Sequence, residues 1–264
     1  MEKTSFVKLR RFNLIMGAIH LVQGILMLIL SSTVIQKLGE FKPMITQNFL
    51  QYNPITQSLE LASSDLFALP FGVFVAIFLL LSAGAHALIA LPKKLNDQYN
   101  SDLKKGINKF RWFEYALSSS VMIVLIATLF GIYDIASLIL IFIVNATMNL
   151  FGLVMEQLNA RRAKDEKVIW GPFIWGSFAG IAPWIAILIY MFGTGNFGQV
   201  PWFVWAIVGT YFVAFNTFPV NMVLQYKKVG KWKNYLYGER TYIVLSLVAK
   251  TILAWLVLFG AMQP

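Results

Sequence analysis

Residues 241–260, TYIVLSLVAKTILAWLVLFG, hold one charge, Lys250, in an otherwise largely apolar run. A hydrocarbon layer of roughly 30 Å takes about 20 helical residues to cross, so a stretch of this length and polarity reads as a membrane-spanning helix. Placed at about 241–261, the helix puts Lys250 about nine residues from either end. At 1.5 Å per residue its Cα is then roughly 14 Å from each interface, beyond the reach of a lysine that bends back to water. A cation held there is costly unless it is paired, neutralised or given a polar cavity, and such residues mark functional sites. A desolvated amine is also suited to forming a Schiff base with an aldehyde.

Six further apolar runs precede this one, at about 12–35, 66–91, 106–132, 135–157, 168–193 and 201–225. The composition agrees: 58% hydrophobic and 13% charged residues with a mean hydropathy of +0.66, against about half apolar and a quarter charged in soluble domains. The expected fold is an all-α membrane bundle of seven helices, one domain over residues 1–264. The first run follows Lys3, Lys8, Arg10 and Arg11 as a signal peptide would. Its apolar length is about twice the usual one and no small-residue cleavage site follows, so it reads as the first helix. The sequence has no cysteine, which excludes disulfides, thiolate metal sites and a cysteine nucleophile. It shows no internal repeat, glycine-rich phosphate loop or His/Asp cluster at metal-ligand spacing.

The net charge of +10 invites a nucleic-acid reading, which the placement of the charges removes. Nineteen of the 22 Lys and Arg fall at the N-terminus and in the connections 2–3, 4–5 and 6–7, while Lys37 and Lys42 fall on the other side. That bias puts the N-terminus in the cytoplasm and the C-terminus outside, in the cell membrane, with no nucleic-acid partner. The outer loop, about 36–65, is too long for a turn. Asn53-Pro54 offers the turn of a small β-hairpin there, an irregular lid being the other reading.

Lys250 calls for a carboxylate. Glu114, in RWFEYALSSSVMIVLI (111–126), is the leading candidate, because Asp134 and Glu156 fall near helix ends. The rival reading pairs Glu114 with Arg111 three residues earlier at the surface. For Glu114 to match the depth of Lys250, the third helix must start near Lys104. Ser246 and Ser118 share helix faces with Lys250 and Glu114, each four residues away, although such hydroxyls often bond their own backbone. His20 and His86 lie at similar depth in the first two helices, either as a proton-accepting cluster or as neutral interhelical partners. Asn145 and Asn149, one turn apart, read as packing residues. The aromatics Phe212, Phe215, Phe218, Trp170, Trp175, Trp184 and Trp255, with Met122 and Met148, offer walls for a flat conjugated ligand, some of them necessarily facing lipid.

The segments RWFEYALSSSVMIVLI, NATMNLFGLVMEQLN (145–159) and SLVAKTILAW (246–255) resemble the third, fourth and seventh helices of heliorhodopsins, the inverted relatives of microbial rhodopsins. The seven-helix pattern extends the resemblance over essentially the whole chain. It implies a rhodopsin-like bundle with all-trans retinal as a protonated Schiff base on Lys250, Glu114 as counterion, and Ser246 bonded to that counterion. It also implies His20 and His86 in an inner cluster that takes the proton, and a homodimer with an ordered outer loop. Ser119, Met148, Gly152 and Phe215 match positions near the polyene, and Ser118, Met122 and Asn145 complete the expected retinal site. Outward proton pumps of the wider superfamily carry a second carboxylate eleven residues from the counterion, where this chain has Leu125 and Leu103.

The function expected is light sensing through a slow photocycle with internal proton transfer, acting on a cytoplasmic signalling partner or lipid headgroups, with no enzyme activity. The alternatives are a light-driven ion transporter and a retinal-free small-solute transporter. The second lacks the repeated half-domains or broken helix pairs often seen in such proteins.

Overall fold

The computed structural model describes residues 3–34, 42–163, 165–193 and 202–261. Lys37 and Lys164, which entered the charge argument, and the end residues 35 and 201 of two expected helices lie outside the described residues. In chain order the elements are α1 (Lys3–Ile29) with a π turn (Leu30–Val34), β1 (Met44–Asn53), β2 (Ser58–Ala68), α2 (Phe71–Ala90) and α3 (Lys93–Lys104). Then come α4 (Lys109–Leu129), α5 (Ile135–Ala160), α6 (Gly171–Phe192), α7 (Trp202–Tyr226), a 3-10 turn (Gly230–Lys233) and α8 (Tyr235–Ala261). Among the described residues, α1, α2 and α4 to α7 contain runs long and apolar enough to cross a membrane. The 27-residue α8 carries Lys250. α1 packs on α2, α2 on α4, and α4, α5 and α6 follow in series; α8 lies against α7, α1 and α2.

Several boundaries differ from the sequence expectation, α1 among them, which begins at Lys3 and not near residue 12; three of them have a clear local reason. Residues 66–68 belong to β2, because Ala68 pairs with Met44 and Pro70, with φ preset and no N–H to offer, stands at the N-cap of α2. The third spanning helix does not begin near Lys104. α3 ends there, Gly106 turns the chain at φ +76°, and Asn108 restarts it as N-cap of α4, its side-chain oxygen accepting from the Arg111 N–H at 3.0 Å. α8 begins at Tyr235, well before residue 241, since Glu239 is a buried partner of Arg111 and Asn108 and not part of a loop.

β1 and β2 form an antiparallel hairpin running from Met44↔Ala68 to Asn53↔Ser58. At its tip Asn53 Oδ1 accepts from the Ile55 N–H at 2.9 Å, and Asn53 donates to Glu60 at 2.8 Å. Two strands alone are marginal in water, and this pair is fixed at its root. Thr46 N–H donates to Tyr133 O at 3.0 Å and Asn48 N–H to Asp134 Oδ1 at 3.3 Å. Asp134 is also the N-cap of α5, accepting from the Ser137 N–H at 2.9 Å. The bond from the Ser137 backbone, with those from the Ser137 hydroxyl and Asn48, holds the Asp134 carboxyl below its ordinary range.

Candidate functional site

Lys250 is buried in the middle of the bundle, and its Nζ lies 2.5 Å from Glu114 Oε1. α4 starts beside Glu239, the residue that Asn108 holds, so Glu114 needs only a short run of helix to reach the amine. Side chains on a helix lean toward its N-terminus, which brings the long Lys250 chain back to the level of Glu114. The pair is closed by a hydroxyl from a third helix: Lys250 Nζ donates to Ser82 Oγ at 2.6 Å, and Ser82 Oγ donates to Glu114 Oε1 at 2.6 Å. Tyr115 presents its ring face to the amine, 5.3 Å from the ring centre. Two opposite charges that have left water together are held by this contact; removing one would leave the other uncompensated.

The amine opens onto a cavity of about 530 Å³ between α4, α5, α6, α7 and α8. Its walls are mostly apolar. Met122, Met148, Trp184, Phe212, Phe215 and Phe218 line it, and Ser118, Ser119, Asn149 and Ser246 supply hydroxyl and amide groups. Trp184 packs against Tyr211, Phe212 and Phe215 with ring centres 5.2, 5.4 and 6.1 Å away, so that wall is a rigid aromatic cluster. Gly152 is required where α5 passes Trp112: a Cβ there would stand 2.2 Å from the indole Cζ3.

Glu114 faces a second, smaller cavity of about 40 Å³, lined also by Asn13, His86, Tyr99, Arg111 and Glu239. His86 Nδ1 lies 2.8 Å from Asn13 Oδ1, and the His86 ring stacks on His20 with centres 5.8 Å apart. Among the described residues neither ring nitrogen of His20 has a hydrogen-bond partner. Beyond Glu114 lies a buried charge cluster in which Arg111 pairs with both Glu156 and Glu239. The Arg111 guanidinium covers the Tyr242 ring at 4.0 Å. Glu156 Oε2 accepts from the Trp112 indole N–H at 2.7 Å and the Asn108 N–H at 2.8 Å, and Glu239 accepts from the Asn108 amide at 2.7 Å.

Most of the expected site converges. Lys250, Ser118, Ser119, Met122, Met148, Gly152, Phe215 and Ser246 line the large cavity, and Glu114 pairs with Lys250 and not with Arg111. Two expectations need correction. Ser246 is buried on the wall shared by both cavities and makes no hydrogen bond to Glu114 among the described residues; Ser82 holds that place. Asn145 is not among the residues that line the cavity and donates to Ser119 and Ser120 at 2.8 and 2.9 Å, while Asn149 and Asn216 are amides on the wall. Glu156 falls near the end of α5, as expected, and is buried there in the charge cluster. Trp175 points outward, away from the cavity. Ser82 was missed, and a signal for it existed: it lies one turn before His86, on the same face of the second helix.

Comparison with known proteins gives one family match, to the model described as Heliorhodopsin, over residues 9–262. Comparison with curated proteins gives no match.

Proposed function

Because this chain belongs to the heliorhodopsin family, being thereby a multi-pass membrane protein of the retinal-binding rhodopsin kind, we propose that it is a light-sensing photoreceptor carrying all-trans retinal on Lys250, with Glu114 as counterion. The observation that carries this reading is the buried Lys250–Glu114 pair at the wall of an apolar cavity of about 530 Å³. The cavity fits a long, flat, apolar aldehyde. Its volume lies within the range of small-ligand pockets, its walls are aromatic rings and methionines, and its one amine has a carboxylate at hand. Bound there as a protonated Schiff base, retinal supplies visible absorption and a light-driven change of shape.

The protein's own part follows from the geometry. Glu114 and Ser82 neutralise and orient the Lys250 nitrogen in the dark, while Trp184, Phe215 and the methionines exclude water from the ligand side. Displacing the nitrogen from Glu114 weakens its hold on a proton, and Glu114 faces the small polar cavity on the cytoplasmic side of this reading. His86 with His20, and the two carboxylates that share the Arg111 guanidinium, are the groups in reach to take that proton. The proton then stays within the protein.

Trp112 gives the signal a route out. It lines the retinal cavity and donates to Glu156 in the cluster that ties α4, α5 and α8 together. Movement of its ring therefore disturbs the cytoplasmic ends of three helices, where the basic loops are placed to meet a signalling partner. The orientation with the N-terminus in the cytoplasm, a location in the cell membrane, and a homodimer with the hairpin outside belong to the same proposal.

The test is continuous illumination of the reconstituted pigment in vesicles, with a pH electrode beside visible spectroscopy. A slow return of the visible band without sustained pH change is expected. A sustained light-driven pH or current change would make the protein an ion transporter.

A further inference from the structure

A groove of about 350 Å³ runs between α1 and α2 on the outer face of the bundle, away from the Lys250 cavity. It extends along α2 from Leu80 to Leu91. At 1.5 Å per residue that is about 16 Å, half of the roughly 30 Å hydrocarbon layer. Its walls are Leu14, Leu21 and Leu80 with Ala18, and Gly84 leaves it open: a Cβ there would meet nothing within 4 Å. Its length and polarity match one acyl chain of one leaflet.

The end of the groove at Leu91 is basic. Arg10 lies one turn before Asn13 and Leu14 of the groove, and it donates from Nε to Ala90 O at 2.7 Å and from Nη2 to Leu91 O at 3.2 Å. The guanidinium is thereby pinned over the end of α2 with donors left over. Among the described residues no carboxylate pairs with it, nor with Lys93 and Lys94, which follow Leu91 closely and are exposed. Three cations at the mouth of an acyl-sized groove, at interface depth, complement a phosphate headgroup.

We propose that this groove is a binding site for an anionic phospholipid, with one acyl chain between α1 and α2 and its phosphate at Arg10, Lys93 and Lys94. The lipid would come from the cytoplasmic leaflet, a choice that rests on the orientation proposed above. Asn13 forms part of both this groove and the small polar cavity, where it meets His86. The lipid therefore lies one side chain away from the inner cavity.

The test places the full chain in nanodiscs of equal phosphatidylglycerol and phosphatidylcholine, extracts it gently, and counts retained lipids by native mass spectrometry. The wild type should retain phosphatidylglycerol in preference to phosphatidylcholine. Gly84→Leu, which fills the groove, should reduce retention about tenfold, and Arg10→Gln combined with Lys93→Gln and Lys94→Gln should abolish the preference between the two headgroups. Equal retention of both lipids by the wild type, or undiminished retention by Gly84→Leu, would overturn the site. The visible pigment of each variant reports that it is folded. Failure of every variant and the wild type to form pigment would count against the photoreceptor reading and leave the lipid count standing.

Discussion

Lys250 and Glu114 share a buried contact whose partners come from helices far apart in sequence, and the sequence names both ends of it without showing what lies between. Lys250 is legible because a charge at mid-membrane has no bland explanation. Glu114 was legible only as a choice between two cations, since hydropathy does not say which face of a helix turns inward. Ser82 was not singled out, because one hydroxyl in an apolar helix usually serves its own backbone; here it also bonds Phe78 O at 3.2 Å besides joining the pair. If Glu114 is the counterion, Glu114→Gln should move the visible maximum to longer wavelength, because the positive charge is then less confined to the Lys250 end. An unmoved maximum would assign that role elsewhere. Gly152→Ala puts a methyl group into the Trp112 ring, an overpacking that costs about 1–3 kcal/mol. Thermal denaturation should show the loss, and the visible band should shift because the wall of its cavity has moved.

Among the described residues the seven long helices are legible as elements, since apolar length alone places them. Their ends are not, because ends are set by caps and buried pairs that hydropathy does not weigh. The clearest example is α8, where Glu239 and Arg240 look like loop residues although Glu239 is sealed against Arg111. Asp134 shows the same principle on the other side, capping α5 and holding the root of the hairpin together. Asp134→Ala should remove a cap worth about 1 kcal/mol and speed hydrogen exchange in β1 and in the first turn of α5. Exchange unchanged in β1 would mean that the Thr46–Tyr133 bond alone secures the hairpin. The carboxyl sits below its ordinary value when folded. Its contribution is therefore complete above the unfolded value of about 3.9 and is lost as pH falls through the folded one. Asp134→Ala should accordingly match the wild type in strongly acidic medium and fall short of it near neutrality.

On the scale of the whole molecule, most of the basic residues sit on one side and the Lys250–Glu114 pair at mid-depth, with the buried Arg111 cluster between them. The one-sided placement of nineteen basic residues carries the proposed orientation, and the absence of cysteine makes it straightforward to test. A single Ile55→Cys at the hairpin tip, where Ile55 is 90% exposed, should react with an impermeant maleimide on intact cells, while Lys94→Cys should react only after the cells are opened. The reverse pattern would invert the protein and move the Arg111 cluster to the outer side. The central claim is that Lys250 carries a retinal chromophore. It is tested most directly by the visible spectrum of the full chain expressed with all-trans retinal, recorded beside Lys250→Ala and followed during hydroxylamine treatment in light. The account predicts a visible band in the wild type that bleaches with hydroxylamine, and no such band in folded Lys250→Ala; a folded wild type without a visible band, or a band that survives the substitution, would contradict it.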